Sequence, residues 1–303
     1  MTNGIVTVYK EKGWTSHDVV ARLRRIFGQK KAGHTGTLDP EAEGVLPVCL
    51  GPSTRVCALL TDLDKTYEAD MLLGLRTDTQ DLTGRVLERS TDLPDPEEVR
   101  AAVSSFTGLY SQIPPMYSAL KVNGRKLYEM ARAGEEVERK PRNVQIFSIE
   151  IPEMNLPHCR LRVSCSKGTY IRTLCDDIGR KLGCGAVMAS LLRTGVGMFS
   201  LQDAVRISQL EEAAENDALE QFVCPPDRLF PTLPEVRFAQ SAGKAARNGN
   251  PLPYEALCGI PYPEEVRQVR MYDPQGLFYG IYVTDPQRRQ CRPVRILTDL
   301  SQT

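Results

Sequence analysis

The chain has 303 residues, 41% of them apolar and 25% charged, enough to build one large domain and one small one from an ordinary soluble composition. A formal net charge of zero excludes unselective coating of nucleic acid by bulk charge. The start, MTNGIVTVYKEKG, lacks a secretory pattern and no run approaches the roughly 20 apolar residues that span a bilayer, so no membrane association and a cytoplasmic location are expected.

In chain order, residues 4–9 suit a strand. Thr15 then opens a T-x-x-D capping box, and Val19, Val20, Leu23, Ile26 and Phe27 recur behind it at helical spacing, with Arg22, Arg24 and Arg25 off that stripe. The glycines and the Asp-Pro step of the next segment, KAGHTGTLDPEAEG, exclude regular structure, which makes Asp39 a loop residue ahead of the strand candidate VLPVCL. Tyr67, Ala69, Met71 and Leu73 alternate as in a half-buried strand. Asp95 with Pro96 starts a helix whose buried stripe is Val99, Ala102, Val103 and Phe106.

Residues 121–142, KVNGRKLYEMARAGEEVERKPR, are rich in basic residues and glutamates and hold too few apolar side chains to anchor a buried element, so the segment is expected to be mobile alone. Strands follow near 144–151 and 159–166. Residues 170–182 place Ile171, Leu174, Cys175 and Ile178 on one helical face, with Gly183 as C-cap and Arg172 off the face. Ser208 and Glu211 suggest a capping box opening an acidic helix that runs to residue 220. The proline-rich stretch CPPDRLFPTLP at 224–234 reads as a linker. Beyond it VRQVRMYD, GLFYGIYVTD and RPVRILTD read as short strands of a small β-rich module.

The nine cysteines contain no C-x-x-C pair and only three histidines accompany them, so reduced thiols and no structural metal are expected. Basic residues gather at Arg22 to Lys31, at Lys121 to Arg142 and at Arg288, Arg289, Arg292 and Arg295, while acidic ones gather at 92–98 and 211–220. One basic and one acidic face can therefore coexist on a neutral molecule, although composition alone favours plain solvated helix faces.

Four segments carry the strongest pattern: AGHTGTLDPEAEGVLPVCLG at 32–51, DKTYEA at 64–69, RTDTQDLTG at 76–84 and SKGTYIRTLCDDIG at 166–179. In order, wording and spacing they resemble the bacterial tRNA pseudouridine-55 synthases, and PPMYSALKVNGRKLYEMAR at 114–132 extends the likeness, which covers residues 4–298. RTDTQDLTG and the stretch 116–142 resemble the stand-alone bacterial branch rather than the guide-RNA-dependent archaeal and eukaryotic relatives. The resemblance implies an α+β catalytic domain at 1–230, built on a mixed sheet with the active cleft across its middle. Residues 231–303 resemble a PUA-type RNA-binding domain. The likeness also implies action on the T arm of tRNA with no guide RNA; a monomer is expected, a state that the sequence itself leaves open.

Uridine isomerisation breaks the bond from ribose C1′ to N1, turns the uracil and joins C5 to C1′ without change of oxidation state, so no redox or nucleotide cofactor is needed. A carboxylate can assist by covalent attack, at C1′ or at the base, or by stabilising charge that develops on the sugar. The resemblance gives that role to Asp39, whereas an isolated L-D-P would usually mean an aspartate capping its own turn. Arg172 resembles the guanidinium that keeps such a carboxylate ionised and oriented, its bland reading being a solvated helix arginine. Tyr67 resembles the tyrosine that packs on the target base and is a candidate for removing the C2′ proton; a phenol with a pKa near 10 is a poor base, and stacking is the safer role. A core tyrosine is the plain alternative.

Tyr170 resembles a second pocket aromatic and Leu191 the pocket floor, and both also suit a core. In SLLRTGVG one arginine stands where many relatives have two, leaving Arg193 as the expected RNA contact. His34 is expected to stack on or hydrogen-bond displaced nucleotides rather than act as acid or base. The target uridine is stacked inside the folded arm, and extruding it costs a few kcal/mol. Basic residues such as Lys121, Arg125 and Lys126 are expected to offset this through phosphate contacts. The rival reading is a non-catalytic tRNA-binding or tRNA-folding protein; a hydrolase using Asp39 as base ranks third for want of a second carboxylate or histidine motif.

Overall fold

The computed structural model describes residues 1–122, 124–135, 137–258 and 265–299. Strand β1 (Gly4–Lys10) leads into helix α1 (Ser16–Ile26), where the Thr15 and Asp18 side chains cap each other's backbone in both directions. Val19, Val20 and Leu23 of this helix bury against Val6, Val8, Leu46 and Val48. The loop after α1 is less irregular than its glycines suggest. Its first residues form β2 (Ala32–His34), antiparallel to the far end of β3 (Glu43–Leu50). A neighbouring strand covers that edge of β3 only at Glu43 and Gly44, so the remaining backbone groups need another partner and β2 supplies it.

Helix α2 (Cys57–Thr61) precedes β4 (Lys65–Leu73), in which every second residue from Lys65 to Leu73 is buried. Strands β5 (Leu75–Thr77) and β6 (Val86–Arg89) form a hairpin around the RTDTQDLTG segment. Helix α3 (Pro96–Ser104) starts on an Asp95–Glu98 capping box and buries Val99, Ala102 and Val103. After β7 (Gly108–Gln112) come a small hairpin, β8 (Lys121–Val122) with β9 (Arg125–Lys126), and helix α4 (Leu127–Arg132). Strands β10 (Arg142–Asn155) and β11 (His158–Cys165) pair antiparallel. Helix α5 (Ile171–Leu182) ends on Gly183 at φ 79°, a left-handed cap that suits glycine.

Strand β12 (Ala186–Val196), followed by the short β13 (Phe199–Ser200), completes the main sheet. Among the described residues the order is β1-β3-β12-β4-β11-β10-β7, with β2 on β3 and β13 on β12, and the β3–β12 pair is parallel while the others are antiparallel, so the sheet is mixed. Ile171, Leu174, Cys175 and Ile178 of α5 and Val99 and Val103 of α3 pack on one face of it, over Ala69, Met71, Leu161 and Val163. Helix α6 (Ile207–Glu215) begins one residue before the expected box. The Gln209 side chain accepts from the Arg206 N–H at 2.9 Å, and Ser208 lies inside the helix. Arg22 of α1 pairs with Glu211 of α6, so at this point a basic and an acidic cluster meet instead of occupying separate faces.

The rest of the chain forms β14 (Glu235–Phe238), α7 (Gly243–Arg247), β15 (Leu252–Pro253), β16 (Leu257–Cys258), β17 (Gln268–Tyr272), β18 (Phe278–Asp285) and β19 (Gln290–Ile296). Its strands make a six-stranded sheet, β15-β19-β18-β17-β14-β16; residues 259–264 and 300–303 of this module lie outside the described residues. The proline-rich stretch before it is not a free linker. Leu229, Phe230 and Leu233 pack with Tyr272, Phe278 and Ile281 of the small sheet and with Ile5, Val45 and Phe199 of the large one, and Val56 and Leu297 complete a single shared core. Among the described residues no helix is long and apolar enough to cross a membrane.

Candidate active site

Asp39 sits in the loop between β2 and β3, and three neighbours fix that loop. The Ser16 hydroxyl accepts from the Leu38 N–H at 2.9 Å and donates to the Leu38 carbonyl at 3.2 Å. Lys10 is fully buried, and its ammonium donates to the carbonyls of Trp14 at 2.7 Å, Glu11 at 3.1 Å and Pro40 at 3.1 Å. The Gly13 N–H donates to the same Pro40 carbonyl at 2.9 Å. Burial pulls the Lys10 pKa down to about 8, with Asp39 and Glu43 opposing the fall. The loop is therefore gripped immediately before and after the aspartate.

The Asp39 carboxylate remains 42% exposed, and its Oδ2 lies 3.0 Å from a terminal nitrogen of Arg172, whose side chain is only 5% exposed. Arg172 does lie off the apolar face of α5, but it is not solvated. Its guanidinium donates to the Thr79 carbonyl at 3.2 Å and the Tyr117 carbonyl at 2.9 Å, and Asp81 stands 3.7 Å away. The RTDTQDLTG loop and the segment before β8 close over it, which the helical pattern alone cannot reveal.

Tyr67 occupies an inward position of β4, and burial raises its phenol pKa, with the nearby Arg193 opposing. At neutral pH the group stays protonated, which weighs against the proton-removing role and toward packing. Arg193 stands opposite Tyr67 in the β12–β4 ladder. Its Nε donates to the Val45 carbonyl at 2.7 Å, another nitrogen donates to Gly36 at 3.3 Å, and the residue is 1% exposed. The expected RNA contact is corrected here: a guanidinium spent on carbonyls beneath Tyr67 offers no surface to a phosphate. Leu191 lies two residues earlier on β12, buried in one cluster with Leu38 and Tyr67.

Tyr170 precedes α5, where Gln112 clasps its backbone: the Tyr170 N–H donates to the Gln112 amide oxygen at 2.8 Å and its carbonyl accepts from Gln112 Nε2 at 2.9 Å. His34 accepts from the Gly36 N–H at 3.3 Å and meets His17 edge-on at 5.6 Å between ring centres. Burial lowers the His34 pKa, and His17 and Arg193 push the same way, so the ring is neutral at pH 7.

Lys121 and Lys126 face each other across the β8–β9 hairpin. Arg125 is engaged by both Glu135 oxygens at 3.0 and 3.1 Å, and Lys126 donates to the Tyr128 hydroxyl at 3.2 Å. The segment is not without buried anchors, since Leu127 and Met130 of α4 are both buried; Asn123 and Glu136 lie outside the described residues. Two leucine-like side chains one helical turn apart suffice to seat a short helix, and a search for longer apolar periodicity passes over them. Lys10, Ser16 and Gln112 hold the site without belonging to any motif of the sequence, and Asp81, inside RTDTQDLTG, carries no individual role in the sequence pattern.

Residues 24–171 match the family model described as TruB family pseudouridylate synthase (N terminal domain), and residues 172–230 match the tRNA pseudouridylate synthase B C-terminal domain. The latter span holds most of α5, which packs on the large sheet, and β12, which belongs to that sheet. The chain is 50% identical over 305 residues to the tRNA pseudouridine synthase B of Lachnoclostridium phytofermentans, covering 97% of this chain and 99% of that one. To the protein of the same description from Bacillus pumilus it is 40% identical over 312 residues, covering all of both. Among solved structures, a chain of the archaeal box H/ACA sRNP Nop10–Cbf5 complex superposes with a TM-score of 0.69 at 25% identity, over 98% of this chain and 87% of that one. With two adjoining family models over residues 24–230 and curated relatives 40–50% identical over nearly the whole of both chains, the protein belongs to the TruB family of pseudouridine synthases, which are isomerases.

Proposed function

We propose that the protein converts a uridine of tRNA to pseudouridine at position 55 of the TΨC loop, acting as a monomer in the cytoplasm without a guide RNA. The names of its full-length relatives support tRNA as the substrate. One observation carries the chemical part: the 3.0 Å contact between the half-open Asp39 carboxylate and the buried Arg172 guanidinium. An ionised carboxylate so oriented is suited either to attack or to stabilise positive charge on the sugar, and both demand that it face the extruded nucleoside. Tyr67 and Leu191 then form the apolar bed of the base and Tyr170 its side wall. His34, neutral beside Gly36, meets the displaced nucleotides. Lys121, Arg125 and Lys126 lie on phosphates of the stem, and the C-terminal sheet serves as a PUA-like RNA-binding module.

The test is an unmodified tRNA transcript carrying tritium at uridine C5. Bonding C5 to C1′ must release that label, so the reading expects stoichiometric release by the wild-type protein and none by Asp39→Asn. Binding of the transcript by folded wild-type protein without release would instead favour the tRNA-binding, non-catalytic rival.

A further inference from the structure

We propose that Gln80 is a positioning residue for the reaction, a clasp between the RTDTQDLTG loop and helix α5 that sets where Arg172 holds Asp39. The inference rests on the reading of Asp39 and Arg172 given above. Gln80 has φ 66°, a left-handed backbone that a residue with a Cβ seldom adopts. Its side chain is satisfied at both ends by α5: the amide oxygen accepts from Thr173 Oγ1 at 2.8 Å, and Nε2 donates to Asp176 Oδ2 at 3.2 Å. Asp176 is itself almost wholly buried and takes further bonds from Arg180 at 2.8 Å and Arg76 at 3.4 Å, so the far end of the clasp is fixed. The Gln80 carbonyl accepts from Met188 of β12 at 3.1 Å, which ties the same residue to the main sheet.

The residues on either side of Gln80 are the ones that meet Arg172. Thr79 contributes its carbonyl and Asp81 its Oδ2, while Asp81 Oδ1 is occupied by Thr79, Thr83 and the Thr83 N–H. Arg172 and Thr173 are adjacent on α5, so the clasp and the guanidinium share one anchor. Gln80 touches neither Asp39 nor, in this reading, the nucleoside. It acts by registering the loop against the helix, and a displacement of this kind reads out in the chemical step rather than in binding.

The experiment measures single-turnover tritium release with saturating enzyme, tRNA affinity and thermal melting for Q80A, Q80G, Q80E, D176N and the double variant Q80E/D176N, with D39N alongside. Q80A and Q80G are expected to lose between about tenfold and a hundredfold in rate, the scale of an ångström-level misplacement, with tRNA affinity unchanged. Glycine accepts φ 66° without strain, which offsets part of the two lost hydrogen bonds, so Q80G should melt above Q80A while losing the same rate; a purely structural role would instead return rate together with stability. Q80E sets two carboxylates face to face and should be slow. Q80E/D176N restores a donor opposite an acceptor with the direction reversed, at the expense of the Arg180 Nε bond to the same Asp176 oxygen, and should recover part of the rate relative to Q80E. Wild-type rate in Q80G, or a loss explained wholly by weaker tRNA binding, overturns the inference while an inactive D39N leaves the Asp39 reading standing; an active D39N overturns both.

Discussion

Replacing Arg172 by lysine keeps the positive charge and removes the planar fork, and the structure gives the size of the effect. The guanidinium simultaneously serves the Thr79 carbonyl, the Tyr117 carbonyl and Asp39 Oδ2 at 3.2, 2.9 and 3.0 Å. A lysine ammonium is a shorter, compact point charge, and in this buried site it will settle on the two carbonyls, whose desolvation it relieves. The contact given up is the one to Asp39. Hydrogen bonds to charged groups are worth about 1.5–3 kcal/mol, which at 1.36 kcal/mol per decade corresponds to a rate loss of about 10- to 150-fold. Single-turnover tritium release at saturating enzyme reads this directly. Because the side chain is covered, tRNA affinity and its salt dependence should stay at wild-type values. A variant within threefold of the wild-type rate, on the scale of about 0.6 kcal/mol, would mean that the ion pair does not orient the acting carboxylate.

Asp39→Asn should abolish label release while leaving melting and tRNA affinity unchanged, because the amide keeps the shape and removes the charge; turnover within tenfold of wild type would defeat the assignment. Arg193→Met leaves two buried carbonyls without their donor and should lower folding stability by about 2–6 kcal/mol in urea melts, at 1–3 kcal/mol per unsatisfied group, without changing the salt slope of binding. A reduced slope would restore Arg193 as an RNA contact. Neutralising Lys121, Arg125 and Lys126 together should lower the slope of log affinity against log salt by up to about two, at roughly 0.7 to 0.9 per phosphate contact. An unchanged slope would leave the hairpin as a solvated face, with Arg125 serving only Glu135. Deletion beyond Pro234 should lower stability before it lowers binding, since it strips Tyr272, Phe278, Ile281 and Leu297 from the shared core; a truncated protein that melts with the intact chain would contradict this.

Local signals in the sequence carried those parts of the fold that depend on local chemistry. The Thr15–Asp18 and Asp95–Glu98 boxes mark both helix starts, and the alternation from Lys65 to Leu73 marks β4, because caps and strand period are set within a few residues. Strand β12 gave no such signal although it lies at the centre of the large sheet. Its register shifts between Met188 and Ser190 and between Arg193 and Gly195 break the two-residue period, and a buried arginine stands where an apolar residue would announce a core strand. The Arg172–Asp39 pairing was legible only through resemblance, since the two residues are far apart in sequence and meet through tertiary packing. The supporting positions were hidden for a further reason: Lys10, Ser16 and Gln112 act by binding main-chain carbonyls and N–H groups, and nothing in a residue's identity says which backbone it will meet.

The burial of the site's cations has a chemical consequence for an enzyme that must approach a polyanion. An exposed guanidinium beside Asp39 would be drawn to the nearest phosphate, since Arg–phosphate pairs are bidentate and strong, and the carboxylate would lose its partner as substrate arrived. Here Arg172 is covered, and its two terminal nitrogens also serve the Thr79 and Tyr117 carbonyls. Arg193 is committed to Val45 and Gly36, and Lys10 to three carbonyls around the Asp39 loop. The charges that the backbone of an RNA can reach, among them Lys121 and Arg125, stand on a hairpin apart from this set. In the proposed reading two populations of cations then serve two tasks: exposed ones exchange counterions for phosphates, Arg125 by giving up Glu135, while the buried ones hold one half-open carboxylate where phosphates cannot compete for its partner.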